Sequence, residues 1–228
     1  MITLLGVGHV FDLAGSIRRE ILARRPKVVA LELDAARFQV LTARGPTTTP
    51  PSLFGLLARF QARIAAQYGV RVGDEMLAAA QSARDLGSEI ALIDEDSRNA
   101  ILRTWRQMSF RERARFVFAI LSSAFVRKSR VDAELRRYQE DERAVIEEFA
   151  ARLPTAKRVL IDERDERMAA ALRDLHRTKG DIVAVVGDGH IEGLGRRLAG
   201  ETLEVVRLRD LRDPAGSAGT SATISYRL

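Results

Sequence analysis

The chain has 228 residues, of which 46% are hydrophobic and 30% charged, and it carries a formal net charge of +6 at pH 7. A chain of this size can bury one sizeable core. Its lack of cysteine excludes disulfides, thiolate catalysis and cysteine-ligated metal sites.

The positive charge does not by itself indicate a nucleic-acid-binding protein. Basic residues alternate with acidic ones, as in residues 136–143, a pattern that is typical of solvated helix faces. No run of apolar residues is long enough to cross a membrane, and no basic region precedes the apolar N-terminal residues. We therefore expect a cytoplasmic protein that binds no nucleic acid, with peripheral association with a membrane as an alternative.

The first part of the chain predicts strands that alternate with helices. Residues 2–8 and 28–33 are apolar and predict buried strands, and the helix predicted between them, residues 11–25, ends before Pro26. A strand–helix–strand unit of this kind returns parallel to itself. Helices are predicted next at residues 53–68 and 74–86, and a third strand at residues 90–94.

The second part of the chain predicts a long helical insertion followed by two further strands. Residues 97–178 have helical periodicity, with breaks near Ser109, near residues 128–129 and at Leu153-Pro154. A strand at residues 181–187, a helix at 192–198 and a strand at 203–208 complete the pattern.

These elements predict a single α/β domain over residues 1–211. Its sheet is expected to be mixed but largely parallel, flanked by helices, with the helical insertion at about residues 97–178 forming a cap. Residues 212–228 are rich in small and polar residues and predict a flexible tail.

Two of the three histidines follow apolar segments in the same phrase, Gly-x-Gly-His. These are His9, after the first predicted strand, and His190, after the fourth. Glycine permits close approach of a ligand, and imidazole is a common metal ligand and acid–base group near neutral pH. The repeated phrase favours one shared site over two separate polar caps on loops.

Carboxylates also end the predicted strands, with Glu32 after the second and Asp94 after the third. Parallel strands would bring them to the edge that carries the histidines. Two imidazoles and a carboxylate suit a divalent metal with a free coordination position. Glu32 would be a third ligand or a general base, and the alternative is a solvent-facing strand end.

Other familiar motifs do not fit. The third glycine of a dinucleotide-binding fingerprint would fall at Phe11, and the chain has neither a phosphate-binding Gly-Lys-Ser/Thr nor a Gly-x-Ser-x-Gly elbow. The charged run at residues 162–167 is by itself typical of a solvated helix face.

Several segments together resemble the TraB/PrgY family and, more distantly, the Tiki and erythromycin-esterase/ChaN-like proteins. The resemblance is carried, in this order, by residues 5–10, 26–37, 73–80, 92–94 with 103–105, 163–169 and 185–194. It implies a mixed α/β fold in which the two histidines and a glutamate converge. It also implies metal-dependent peptide hydrolysis for the Tiki branch, and inhibition of a peptide pheromone, by sequestration or cleavage, for the TraB/PrgY branch.

The resemblance assigns His9, Glu32, His190 and Arg164 to the site, with Glu163 of the same Glu-Arg-Asp motif as a further catalytic candidate. The chain departs from the family at residues 94–95, which are Asp-Glu where many members have Asp-Arg, and Arg98 is the next basic residue. The hydrophobic C-terminal membrane region common in the family is not found in this sequence.

We therefore predict a metal-dependent hydrolase of a peptide or peptide-like substrate. His9, His190 and Glu32 would hold Mn²⁺, Zn²⁺ or Co²⁺, and Arg164 would stabilise developing negative charge. The alternatives are a module that binds and sequesters a peptide without cleaving it, and a scaffold or membrane-contact protein. A homo-oligomer formed through the helical insertion is also compatible with the sequence.

Overall fold

The structure of the protein is a computed structural model that describes residues 1–8, 11–43, 73–123, 147–148 and 150–212. Four sequence predictions lie outside these residues: the position of His9, the helix at 53–68, the break near 128–129, and the tail beyond residue 212. Within the described ranges, none of the helices combines the length and the apolar content needed to cross a bilayer.

A five-stranded sheet forms the centre of the fold. Its strands are β1 (Ile2–Val7), β2 (Val28–Leu31), β3 (Glu89–Leu92), β4 (Ile182–Gly187) and β5 (Leu203–Val206). Their spatial order is β3-β2-β4-β1-β5, and every neighbouring pair is parallel. This confirms the predicted α/β fold with a largely parallel sheet.

Helices connect the strands and cover the sheet. Those whose bounds lie in the described part of the chain are, in order, α1 (Ala14–Arg24), α2 (Ala35–Ala43), α3 (Asp74–Leu86), α4 (Ser97–Gln107), α5 (Phe110–Ser123), α6 (Pro154–Lys157), α7 (Glu163–Lys179), α8 (Asp188–Arg197) and α9 (Leu208–Arg212). A π-helical turn, Arg158–Asp162, joins α6 to α7.

The two faces of the sheet bury separate apolar clusters. Leu5 and Val185 point towards α1, α3 and α9, whereas Leu4 and Ala184 point towards α7 and α8. Because both faces are covered, the strands are apolar at nearly every position, as is usual for parallel sheets. Helix α7 lies within the predicted helical insertion, yet it packs on the sheet through apolar residues that include Met168.

The connections place the middle of the sheet at a topological switch point. The chain leaves β1 for α1 on one face, and it leaves the neighbouring β4 for α8 on the other. Open α/β sheets commonly bind ligands at the carboxyl ends of strands arranged in this way.

Helix α8 begins at Asp188, earlier than the predicted start at residue 192. From the sequence alone, the glycines of this segment predict a turn. The first turn is nevertheless fixed, because the Asp188 carboxylate accepts hydrogen bonds from the backbone N–H of Leu208 (3.0 Å) and from the guanidinium of Arg207. The sequence did not predict α9, which follows Arg207 directly.

The predicted breaks at Ser109 and Leu153-Pro154 are confirmed, and one buried glutamate joins them. Glu112 of α5 accepts hydrogen bonds from the backbone N–H groups of Ser109 (3.0 Å) and Thr155 (2.9 Å). Pro154 occupies the first turn of α6, where its missing N–H costs no helical hydrogen bond. The α4–α5 hairpin is thereby attached to the segment that leads into α7.

Candidate functional site

Glu32 and His190 meet at the carboxyl edge of β2 and β4. Glu32 follows β2, and its Oε2 atom accepts a hydrogen bond from the backbone N–H of Gly187 at the end of β4 (2.6 Å). His190 lies in the first turn of α8 with its Nε2 atom 3.4 Å from Oε1 of Glu32. Both residues are only 7% exposed. The structure thus brings together two predicted site residues that are far apart in the sequence.

Arg164 enters the same cluster from the first turn of α7. Its Nη2 atom donates a hydrogen bond to Oε1 of Glu32, and its Nε and Nη2 atoms bind the two carboxylate oxygens of Asp94 (2.9 and 2.7 Å). The Asp94 side chain is 1% exposed. Since Asp94 binds the guanidinium in a bidentate manner, it fixes the orientation of Arg164 relative to Glu32.

Asp165 lies behind His190, opposite Glu32. Its Oδ1 atom is 2.6 Å from Nδ1 of His190, and the residue is 1% exposed. A carboxylate on one imidazole nitrogen fixes the ring orientation and makes the other nitrogen more basic. Space for this carboxylate comes from Gly193, because a Cβ atom at that position would overlap Oδ2 of Asp165.

The electrostatics of the cluster favour a charged histidine. Burial acts to lower the pKa of His190, but the Glu32 carboxylate and the hydrogen bond to Asp165 outweigh it and raise the pKa to about 9. Burial acts to raise the pKa of Glu32, and the charges of His190 and Arg164 together with the Gly187 N–H instead hold it well below its ordinary value of 4.5. Without a bound ligand, an imidazolium therefore lies between two carboxylates at neutral pH.

Burial also opposes the charge of Arg164, but Glu32 and Asp94 outweigh it and raise the pKa of the guanidinium above its ordinary value. Arg164 therefore remains a fixed positive charge at the edge of the sheet throughout the accessible pH range.

Glu163 lies on another face of α7. Its carboxylate contacts Arg158 (2.7 Å) and Arg103 (3.4 Å) and is partly exposed. Arg167, one helical turn further along, pairs with Glu95 and not with Glu163. Of the predicted residues, the structure groups Glu32, Arg164 and His190, and it places the Glu163 carboxylate in a surface ion-pair network.

His9 is outside the described residues, so its position relative to His190 stays a prediction. Among the residues that are described, no three histidine, aspartate or glutamate side chains are placed to hold a metal ion. In the cluster, the two possible metal-binding atoms that face each other are Nε2 of His190 and Oε1 of Glu32. The Oε1 atom also accepts a hydrogen bond from Arg164.

A further buried carboxylate, Asp188, stands next to the site. Besides the bonds from Leu208 and Arg207, it depends on Gly6 of β1, where a Cβ atom would overlap its Oδ1 atom. Burial raises the pKa of Asp188 from its ordinary value. This contact joins the start of α8 to the strand that leads towards His9.

Comparison with known proteins agrees with the family resemblance of the sequence. The family model described as TraB/PrgY/gumN matches residues 1–199. The chain belongs to this family. The TraB/PrgY/gumN match includes all the residues of the cluster. Among them are Asp94, which the sequence analysis placed at this edge without a role, and Asp165, which it did not assign to the site.

One curated relative is the uncharacterized protein MJ1365 of Methanocaldococcus jannaschii. It is 30% identical to this chain over 210 residues, which are 86% of this chain and 53% of the relative. The chain therefore spans about half the length of this relative.

Proposed function

We propose that the protein is a metal-dependent hydrolase of a peptide or peptide-like substrate. The observation that carries this proposal is the row formed by Asp165, His190 and Glu32 at the carboxyl edge of the sheet. Metal-binding histidines usually pair their other ring nitrogen with a carboxylate, as His190 does with Asp165, and the Nε2 atom of His190 faces the carboxylate of Glu32.

The residues present fit a divalent ion in their donor types. Nε2 of His190 and a carboxylate oxygen of Glu32 are ligands accepted by Zn²⁺, Mn²⁺ and Co²⁺, and His9 is the proposed third ligand. When bound, such an ion polarises a substrate carbonyl and lowers the pKa of a bound water to roughly 7 in favourable cases.

Proton balance is part of this proposal. Nε2 of His190 must be free of its proton to bind a metal, and the pKa of about 9 means that this proton is present at neutral pH. Asp165 keeps the imidazole ring in place during the exchange, because it binds the opposite nitrogen. Metal binding at neutral pH should therefore release about one proton per site.

Arg164 would act on the substrate side of the cluster. Its guanidinium is held by Asp94 and is buried on most of its surface, so it provides a preorganised positive charge. Such a charge stabilises the oxyanion that develops when a peptide carbonyl is attacked. Glu32, the other acceptor of Arg164, would serve as a ligand or as the base.

The first test is calorimetric titration of Mn²⁺, Co²⁺ and Zn²⁺ into chelator-stripped protein, in buffers that differ in ionisation enthalpy. We expect stoichiometric binding with proton release, and its loss in His190→Ala, His9→Ala and Glu32→Gln. His176→Ala is the matched control, because His176 bonds to the carbonyl of Gly180 (2.7 Å) at the far end of α7. Absence of binding, or binding insensitive to His190 and Glu32, would refute the metal proposal.

The second test is incubation of the metal-loaded protein with a peptide pool, followed by mass spectrometry. New termini that depend on added metal and disappear in Glu32→Gln would support hydrolysis. Arg164→Lys keeps the charge but not the bidentate geometry, and we expect it to lower turnover more than it lowers metal affinity.

A second candidate function, peptide capture without cleavage, is favoured by a specific observation. Both carboxylate oxygens of Glu32 are already engaged, one by Gly187 and the other by Arg164 and His190. A carboxylate of a ligand could be held by the same donors. Retention of intact peptide, independent of metal and without new termini, would support capture.

A further inference from the structure

The surface of α5 is unusual because its apolar face is turned outward. Phe110, Ala114, Val117 and Phe118 follow one another at spacings that place them on one side of the helix. Phe110 is 87% exposed and Phe118 is 74% exposed. Two largely exposed phenylalanines on one helix face are typical of a binding surface rather than of a solvated one.

The opposite side of α5 is the one that attaches to the protein. Glu112 and Phe116 point inward, the first towards Ser109 and Thr155 and the second towards Trp105. As far as the described residues go, the helix is therefore anchored by one face and exposes the other.

The charged side chains of α5 are mostly positive. The helix contains three arginines and one acidic residue, Glu112, which is buried and bonded internally. Arg111 and Arg115 border the exposed face, because each directly follows one of its residues, Phe110 and Ala114. Among the described residues, neither contacts an acidic side chain, and Arg115 donates a hydrogen bond to the carbonyl of Arg152 (3.4 Å).

We propose that the exposed face of α5 docks on the surface of an anionic lipid bilayer. The apolar side chains and the positive charges of this face both suit such a bilayer. Phenylalanine rings enter the boundary between headgroups and acyl chains, while flanking arginines extend their guanidinium groups to lipid phosphates. A second protein with an acidic, apolar groove would satisfy the same charges, but an apolar helix face with arginines at its border is the arrangement of an interfacial helix.

The docking surface adjoins the candidate site through the chain itself. Glu112 holds the start of α6, and α6 leads through the π-helical turn into the residues Arg164 and Asp165. A bilayer contact at α5 would thus orient the protein for substrates present at a membrane surface. This inference does not depend on the hydrolase proposal, because vesicle binding can be measured without turnover.

The test is co-sedimentation of the full chain with vesicles of phosphatidylcholine mixed with phosphatidylglycerol, compared with vesicles of phosphatidylcholine alone. We expect binding only to the anionic vesicles, and its decrease with added salt. The double variant Arg111→Gln/Arg115→Gln should weaken binding roughly twenty-five-fold, since each arginine near an anionic surface contributes about five-fold in affinity. Phe118→Ser should weaken it by roughly ten-fold.

Matched controls separate location from net charge. Arg177→Gln/Arg196→Gln removes two exposed arginines from other helices and leaves the protein with the same net charge as the α5 double variant. Val40→Ser removes a half-exposed apolar side chain of α2. We expect both controls to bind like the unmodified chain, and thermal melting monitors the folding of every variant.

Three results would overturn the proposal. They are no sedimentation with anionic vesicles, equal loss of binding in the α5 variants and their controls, and a dimer in solution that Phe118→Ser converts to a monomer while vesicles are not bound. The last result would assign the exposed face to a second copy of this chain.

Discussion

Raising the pH should destabilise the metal-free protein through the loss of one proton from His190. Its pKa is raised to about 9 in the folded state, against an ordinary value of 6.5. A group whose folded pKa is raised stabilises the fold fully below its unfolded value, and this stabilisation is lost as the pH rises through the folded value. The loss should therefore occur between about pH 6.5 and 9.

The size of the loss follows from the same two values. At about 1.4 kcal/mol for each pH unit, the interval from 6.5 to about 9 corresponds to about 3 kcal/mol of unfolding free energy. This is a large part of the stability of an ordinary domain. Glu32 acts at the other end of the range, because its pKa is lowered; its contribution is present above pH 4.5 and is lost as the pH falls through its folded value.

The assay is urea-induced unfolding, followed by circular dichroism, of chelator-treated protein at a series of pH values. Asp165→Asn removes the carboxylate that binds Nδ1 of His190, so the loss of stability at high pH should become smaller in this variant. His176→Gln is the control and should retain the full loss. Histidine chemical shifts measured by NMR over the same pH range give the pKa of His190 directly.

Two results would contradict this electrostatic explanation of the pH dependence. If unfolding free energy is constant between pH 6.5 and 9, or if His190 titrates near 6.5, then the imidazole is not held between two carboxylates in the folded protein. The proton release expected on metal binding at neutral pH would then have no basis.

Three further substitutions test the cluster. Gly193→Ala should displace Asp165, lower the unfolding free energy by about 2 kcal/mol and shift the His190 titration towards its ordinary value; an unchanged titration would contradict the close approach. Asp94→Asn should cost about 3 kcal/mol in chemical denaturation because it leaves the buried Arg164 guanidinium with one carboxylate fewer, and a neutral result would contradict the role of this bidentate pair. Glu163→Gln should change unfolding free energy by less than about 0.5 kcal/mol, and loss of turnover with metal binding intact would support the catalytic role inferred from the sequence.

The sequence predicted the sheet well because buried parallel strands have a strong local signature. Strands β1, β2, β4 and β5 are short and apolar at nearly every position. Strand β3 shows the same pattern less strongly. Helix ends were predicted less well. The start of α8 is determined by contacts of Asp188 with Arg207 and Leu208, and no local pattern contains that information.

Part of the site could also be predicted from the apolar segments of the sequence. His190 and Glu32 each end an apolar segment, so the rule that ligands bind at the carboxyl edge of the sheet was enough to group them. Asp165 was missed because it lies in a dense charged run, which is normally solvated. A signal was present: Asp165 shares a helix face with Met168, Ala169 and Leu172, at spacings of three, four and seven residues, and all three are buried. An aspartate on the apolar face of a helix needs a buried partner.

The glycines of the site are best understood together with its carboxylates. Gly193 leaves the space that Asp165 occupies beside His190, and Gly6 leaves the space that Asp188 occupies beside β1. A side chain at either glycine would expel a short, buried carboxylate that has few alternative positions. The glycine in such a phrase therefore need not serve a ligand or a turn. In this protein, Gly6 of the first Gly-x-Gly-His phrase makes room for Asp188, and Gly193, three residues after His190, makes room for Asp165, so that both acidic residues can position helix α8 and its histidine.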